Sequence, residues 1–495
     1  MKRTRPMVLP ALALTAAMLA GCALGPDFTQ PDAPHADRYT AQSLRLEGKV
    51  AGGASAQQVM LGEQIDRAWW KLFRSDALDD VVKRALAQNR TIVAAGYTLA
   101  QAQELAAARA GTLYPQAGMT AGVGREKYGA EFLGTSPKPP IFTYFAVGPA
   151  ISYTLDYTGG AARSVEQQRA LANYQRQQLD AAYLAVTGNA VMQSLRIAAV
   201  RAQIATVRTL LEQDRENQKL VHEAFDAGSV SRLDIVSADS QLAGDATLLP
   251  PLRQELSLAQ HALAIVLGQA PANAALPEFD LAQLSLPRQL PVSLPSELAH
   301  RRPDILAAEA QLHAATAAVG VATANLYPRI DISASFAQQS TVAAQLFDAA
   351  NNGWGVTGAL LAPIFDGGTL RAERRAAVDA MRASEAKYQQ TVLTAFGQVA
   401  DSLQALDHDA EALQAQTNAR QAARDNLDLT RISYREGNVG VLQVLDAERR
   451  YSRASLAYVR ARAQRYLDTA QLFLALGGSR PESDMHPGQA TAHNN

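Results

Sequence analysis

The chain has 495 residues and is almost neutral, with 46 Lys and Arg against 47 Asp and Glu and a formal net charge of −1. No basic stripe stands out for phosphates, which argues against a nucleic-acid partner. The single cysteine, Cys22, leaves no disulfide to form, so the fold does not depend on the redox state of its compartment.

Lys2, Arg3 and Arg5 precede an apolar run, Met7 to Leu19, too short to span a bilayer as a mature helix. Residues 1–21 therefore read as a secretory signal peptide. The run ends in Leu19-Ala20-Gly21-Cys22, which resembles a bacterial lipoprotein cleavage box with Cys22 as the lipidated first residue of the mature chain. No later apolar run approaches twenty residues, so no helix is expected to cross a membrane. Residues 22–68, rich in Pro, Asp and Ala, are expected to form an extended lipidated tether.

A first structural unit is expected over residues 69–270. It opens with Trp69-Trp70 and has helices over about 76–112, 161–226 and 232–267. Between the first two helices, strands are expected over about 116–124 and 142–157. In the second strand every odd position from Phe145 to Tyr157 is apolar or proline, and the even positions are mostly small or polar. That alternation resembles a transmembrane barrel strand with lipid on one face and water on the other. The long helix has an apolar seam at Leu179, Tyr183, Val186, Ala190, Ile197, Val200, Ile204, Val207 and Leu211, in steps of three and four interrupted once at Gln193. At about 1.5 Å per residue it is a rod of roughly 95 to 100 Å. It ends at the turn Gly228-Ser229-Val230. The helix after the turn carries Pro250-Pro251, which should kink or split it.

A proline-rich connector, 271–295, leads to a second unit over 296–480. Its helices are expected over about 303–325, 370–435 and 442–476, its strands over about 329–338 and 354–365, and its turn at Gly437-Asn438-Val439; residues 481–495 read as a disordered tail. The units form an internal two-fold repeat of strand, strand, long helix, turn and helix. Leu113-Tyr114-Pro115 recurs as Leu326-Tyr327-Pro328, Gly159-Gly160 as Gly367-Gly368, and Leu267-Gly268 as Leu476-Gly477. Four strands cannot close a barrel and open edges are not tolerated in lipid, so several chains must pool their strands.

The residues resemble those of the TolC-like outer-membrane factors, specifically the lipoprotein branch that serves RND-type efflux pumps. The marks are Cys22-Ala23-Leu24-Gly25-Pro26-Asp27-Phe28, Trp69-Trp70-Lys71-Leu72-Phe73, Arg301-Arg302-Pro303-Asp304-Ile305 with Ala308-Glu309, and Pro363-Ile364-Phe365-Asp366-Gly367-Gly368. Pro250-Pro251 departs from the pattern. The resemblance implies a mainly α protein with a membrane β-barrel. Three identical chains would form a twelve-stranded barrel continuous with a periplasmic α-helical barrel. It also implies an outer-membrane location, a periplasmic adaptor and an inner-membrane RND-type pump as partners, and passive conduction of drugs or other small molecules. The alternatives are a lipid-anchored structural coiled-coil stalk and an exit duct for secreted peptides or proteins.

No catalytic constellation, cofactor motif or metal-ligand spacing is present. His222, His261, His313 and His408 are scattered, and Arg301-Arg302-Pro303-Asp304 reads as an ordinary helix start. Three places carry functional expectations: lipidation at Cys22, an adaptor-docking tip at Gly228, Ser229, Val230, Gly437, Asn438 and Val439, and a periplasmic gate. Leu442, Asp446 and Arg449 share one helix face by their spacing. The resemblance implies that these positions close the tunnel, with Gln443 standing where some members carry a second acidic residue.

Overall fold

The computed structural model describes residues 24–32, 36, 38–40, 57–66, 68–127 and 141–478. The leader 1–21, Cys22, the tail 481–495 and much of the 22–68 tether lie outside the described residues. In order, the elements are β1 (Gln58–Leu61), α1 (Asp76–Gln88), α2 (Arg90–Gly111), β2 (Gln116–Glu126), β3 (Phe142–Leu155), α3 (Gly160–Asp226), α4 (Arg232–Ala246), α5 (Leu249–Val266), β4 (Gln289–Val292), α6 (Pro295–Ala299), α7 (Pro303–Ala324), β5 (Arg329–Ser340), β6 (Asn352–Leu361), α8 (Thr369–Arg435) and α9 (Val441–Ala475). Two compact units result. Among the described residues, one comprises those within 1–31, 98–175 and 307–388, the other those within 32–97, 176–306 and 389–478.

The first unit is built on a four-stranded antiparallel sheet in the order β2-β3-β5-β6. Its register brings residues of one kind to one face, because side chains of directly paired residues point the same way. Met119 pairs with Pro149, Val123 with Phe145, Tyr153 with Ile332, Ile330 with Leu360, and Phe336 with Trp354. The opposite face pairs Thr120 with Gly148, Ser152 with Ser333, and Ser333 with Thr357. Met119, Val123, Trp354, Val356 and Leu360 are all exposed in the single chain, and the outer edges of β2 and β6 have no partner strand among the described residues. Beneath the sheet residues in sequence, Arg163 at the start of α3 is buried. It donates to Asp27 at 2.5 Å and to Glu166 at 2.8 Å. Phe28 stacks on His313 with centroids 4.3 Å apart, and His313 Nε2 lies 2.8 Å from Glu166.

The second unit has an aromatic core in which Trp69 and Phe73 meet Phe473 and Phe73 stacks on Tyr466. The seam of α3 is buried at Leu179, Val186, Ala190, Ile197, Val200, Ile204, Val207 and Leu211, with Tyr183 half-buried. Its one interior glycine has a packing cause, since a Cβ on Gly188 would come within 2.3 Å of Leu474. Buried Arg302 donates to the Ala475 carbonyl at 2.7 Å, to Gln398 at 2.8 Å and to Asp304 at 2.6 Å.

Several expectations need correction. The helix over 76–112 is two helices, broken at Asn89, whose Oδ1 accepts from the Thr91 N–H while its Nδ2 donates to the Val266 carbonyl. The strand over 354–365 begins at Asn352 and stops at Leu361, before Pro363, which has no N–H for a ladder. The described residues hold six strands rather than four, because tether residues Gln58–Leu61 pair in parallel with connector residues Gln289–Val292. The connector also buries Phe279, Leu281, Leu284, Leu290 and Val292. The helix over 232–267 splits as the prolines required, with Pro250 in the first turn of α5. Finally, α7 is long and apolar enough by length and composition to cross a membrane. Its apolar character is largely that of alanine, and Ile305, Ala310, Ala314 and Ala317 are buried within the protein, as in a core helix. The Arg302 contacts likewise make the Arg301–Asp304 segment more than a helix start.

Candidate functional site

Both long helices end in the same way. The Ser229 N–H donates to the Ala224 carbonyl at 2.9 Å and the Gly228 N–H to Phe225 at 2.8 Å; the Asn438 N–H donates to Ser433 at 2.9 Å and the Gly437 N–H to Tyr434 at 3.0 Å. This pairing closes a helix only when the residue after its cap is left-handed. Gly228 and Gly437 have φ of 73° and 76°, and a Cβ on either would meet nothing within 4 Å, so the demand on each is conformational and not steric.

The first turn meets the start of α9. Val230 and Ile235 pack with Val441 around buried Val221, Ala238 and Leu445. A groove of about 410 Å³ runs between them, lined by Gly228, Ser229, Val230, Ser231, Asp234, Gly440, Val441, Leu442 and Gln443. The starts of the return helices differ. At α4 the Asp234 carboxylate accepts from both the N–H and the hydroxyl of Ser231 at 2.8 Å. At α9 the cap is Gly440, which has no side chain to do this.

Leu442, Asp446 and Arg449 lie along one stripe of α9, each substantially exposed; Leu445, Glu448, Ser452 and Leu456, about a quarter turn round the helix, are buried. Arg449 donates to Asp446 Oδ1 at 2.5 Å, and Arg450 Nη2 lies 2.7 Å from Asp446 Oδ2. Hydrogen bonding from Arg449, with that of Arg450, holds the Asp446 carboxyl below its ordinary range. Behind this stripe, Glu448 accepts from Arg431 on α8 at 2.7 Å and from Asn217 on α3. Deeper in α3, Asp214 is 4% exposed beside Asp245 of α4, and its Oδ2 has no partner among the described residues. Burial, with the nearby charges of Asp245 and Glu448, pushes its carboxyl up to about 7.

Sequence spacing brought out Leu442, Asp446 and Arg449 but not Arg450, Glu448 or Asp214. Arg450 was readable, standing at i+4 from Asp446. Glu448 and Asp214 interrupt apolar stripes, and that interruption was the available sign of a buried carboxylate needing partners. Cys22 lies outside the described residues. No group of three side chains able to hold a metal occurs among the described residues.

The family model for outer membrane efflux proteins matches the chain twice, over residues 81–269 and 294–478. The chain belongs to the outer membrane efflux proteins. It is 32% identical to the pyoverdine export outer membrane protein OpmQ of Pseudomonas aeruginosa, over 83% of this chain and 87% of that protein. It is 30% identical to the outer membrane protein OprJ of the same organism, over 94% of each. Among solved structures, the outer-membrane channel OprN superposes with a TM-score of 0.83 at 28% identity, covering 92% of this chain and 99% of that one. Like its family, the chain is an outer-membrane duct for efflux, and its mainly helical fold is that of the TolC-like channels.

Proposed function

We propose that three copies of this outer membrane efflux protein assemble about one axis, each giving four strands to a closed twelve-stranded barrel and its long helices to a periplasmic tunnel. The observation that carries this reading is the register of the sheet. It lines up a largely apolar face, polar only towards the end that carries Gln338, Ser340 and Asn352, against one small and polar face, and leaves the outer edges of β2 and β6 without a partner strand among the described residues. Such a sheet is stable neither in water, for its exposed Met, Trp and Leu side chains, nor alone in lipid, for its unpaired backbone. Closure with two further copies satisfies both. The two-fold repeat gives each chain two equivalent hairpins for the tunnel wall. A coiled-coil stalk gives this sheet no role.

The remaining roles follow from that arrangement. Cys22 carries the lipid anchor, several acyl chains together being enough for stable attachment. The paired turns Gly228-Ser229-Val230 and Gly437-Asn438-Val439 form the tip that docks a periplasmic adaptor, which joins the duct to an inner-membrane RND-type pump supplying the energy. Leu442, Asp446 and Arg449 form the periplasmic gate. Drugs or other small molecules pass through passively, selected by the pump. Native mass spectrometry of the detergent-solubilised protein tests the assembly: the expected species is a trimer whose chains begin at an acylated Cys22. A monomer that still conducts, or an unmodified Cys22, contradicts it.

A further inference from the structure

Beside the aromatic core of the second unit lies a cavity of about 1130 Å³ that the duct does not account for. In a chain of balanced charge its described lining includes Lys71, Arg74, Arg288, Arg462 and Arg465 and no carboxylate. Arg465 is the telling member. It is 5% exposed, and its Nε donates to Gln57 Oε1 at 2.9 Å. It makes no ion pair among the described residues. A buried guanidinium without a counter-ion is costly, which is why buried charges are ordinarily paired. The carboxyl that acts on it from a distance, Asp409, is itself pushed up by burial and by Asp468, which weakens it as a counter-ion.

A second observation comes from the rim. Arg74 is the one described non-glycine residue with a left-handed backbone, at φ 51° and ψ 49°. It closes the 3-10 turn of Trp69-Trp70-Lys71-Leu72-Phe73, a place where glycine or asparagine sits without strain. An arginine held there against its backbone preference turns strain into a side chain at the cavity mouth. Arg420 covers the ring of Tyr458, a lining residue, 3.9 Å from its centroid.

We propose that this cavity is a binding site for a water-soluble oligoanion, a molecule carrying two or more phosphate or carboxylate groups, with Arg465 at its floor and Lys71, Arg74, Arg288 and Arg462 around it. The unit that holds the cavity is not the one that carries the apolar sheet, so a soluble anion and not a lipid headgroup is the fitting occupant. Planar guanidinium groups bind both oxyanion classes by paired donors, and several converging on one cavity favour multiple charges over one. The site lies on the chain's own core, apart from the residues of the gate and the turns, and it does not depend on the role of either.

Calorimetric titration of the purified full-length protein in detergent, with inorganic tripolyphosphate in one arm and citrate in the other, tests this and tells which acid is preferred. One saturable site per chain is expected. Arg288→Ala with Arg462→Ala should weaken binding at least ten-fold. Arg382→Ala with Arg424→Ala, which removes as much charge from exposed helix faces, should change it less than two-fold. Because Arg465→Gln removes a buried contact and could impair folding, the rim pair carries the test. Absence of saturable binding to the assembled protein, or equal weakening by the two double variants, overturns the site.

Discussion

The two hairpins of the chain, α3 with α4 and α5, and α8 with α9, share a backbone plan and differ in what locks it. Both long helices have 67 residues and both end in the same glycine closure. At their roots each return helix has a carbonyl held by a side chain from outside the hairpin, but Val266 is held by the neutral Asn89 and Ala475 by the charged Arg302, which also reaches Gln398 on α8. The first return path is broken at Pro250-Pro251, whereas the second is one helix of 35 residues. At the tips the first hairpin is closed by Ser231 and Asp234 within a single turn. In the second, the charged contact of Glu448 with Arg431 joins α9 to α8, while Asp446 pairs with Arg449 and Arg450 within α9 itself. Charged contacts near water can exchange partners at little cost, while a capped turn cannot be shared out in this way. A shared backbone plan thus leaves the side chains to set how firmly each hairpin is held, and in the gate proposed above α9 is the element that moves.

The largest effect is expected at the root of the second hairpin. Arg302→Ala leaves the Ala475 carbonyl, Gln398 and Asp304 without their partner and should cost about 3 kcal/mol or more. Asn89→Ala at the neutral root of the first hairpin should cost about 1 to 2 kcal/mol. Thermal melts of the assembled protein read the difference, and equal losses would erase the distinction between the roots.

Next comes the acid pair in the first hairpin. An aspartate ionises near 3.8 when unfolded, but Asp214 stays neutral up to about 7 in the fold. The folded chain therefore holds the extra proton between those values. The contribution of this group to stability is full below about pH 4, falls as pH rises towards 7, and levels off above it. Asp214→Asn should remove that slope and raise stability at pH 8 by about 2 kcal/mol. Hydrogen exchange of the α4 amides, corrected for intrinsic pH dependence, is the measurement; an unchanged slope in the variant contradicts it.

Smaller again is the strain of placing a side chain at positive φ. Gly228→Val and Gly437→Val should each cost about 1 to 2 kcal/mol locally, with drug susceptibility at equal membrane levels showing lost efflux. Full efflux in both variants would remove the turns from the docking tip.

Much of this was legible in the sequence because it was periodic or local. The rods announced themselves by seam spacing, the barrel-like strands by alternation, and the turns by glycine. What escaped was non-local. The break at Asn89 has no proline or glycine to mark it and exists because one amide serves two helices. The pairing of Gln58–Leu61 with Gln289–Val292 joins short segments from a tether and a connector, neither with an alternation of its own. The end of β6 is hidden in the sequence because Ile364 and Phe365 look like strand residues, yet the strand stops at Leu361, before Pro363, and both are highly exposed. In the site, Asp446 and Arg449 could be read from helix spacing, but the burial of Glu448 and Asp214 depends on which helices come together.

Single-channel conductance in planar bilayers tests most directly the claim that the second hairpin carries the gate. Asp446→Ala with Arg449→Ala should raise open conductance several-fold over the unmodified protein, while Ser231→Ala with Asp234→Ala, the matched change at the start of the first return helix, should leave it unchanged. Conductance unaltered by the first pair with the assembly intact, or raised equally by both, would contradict the account.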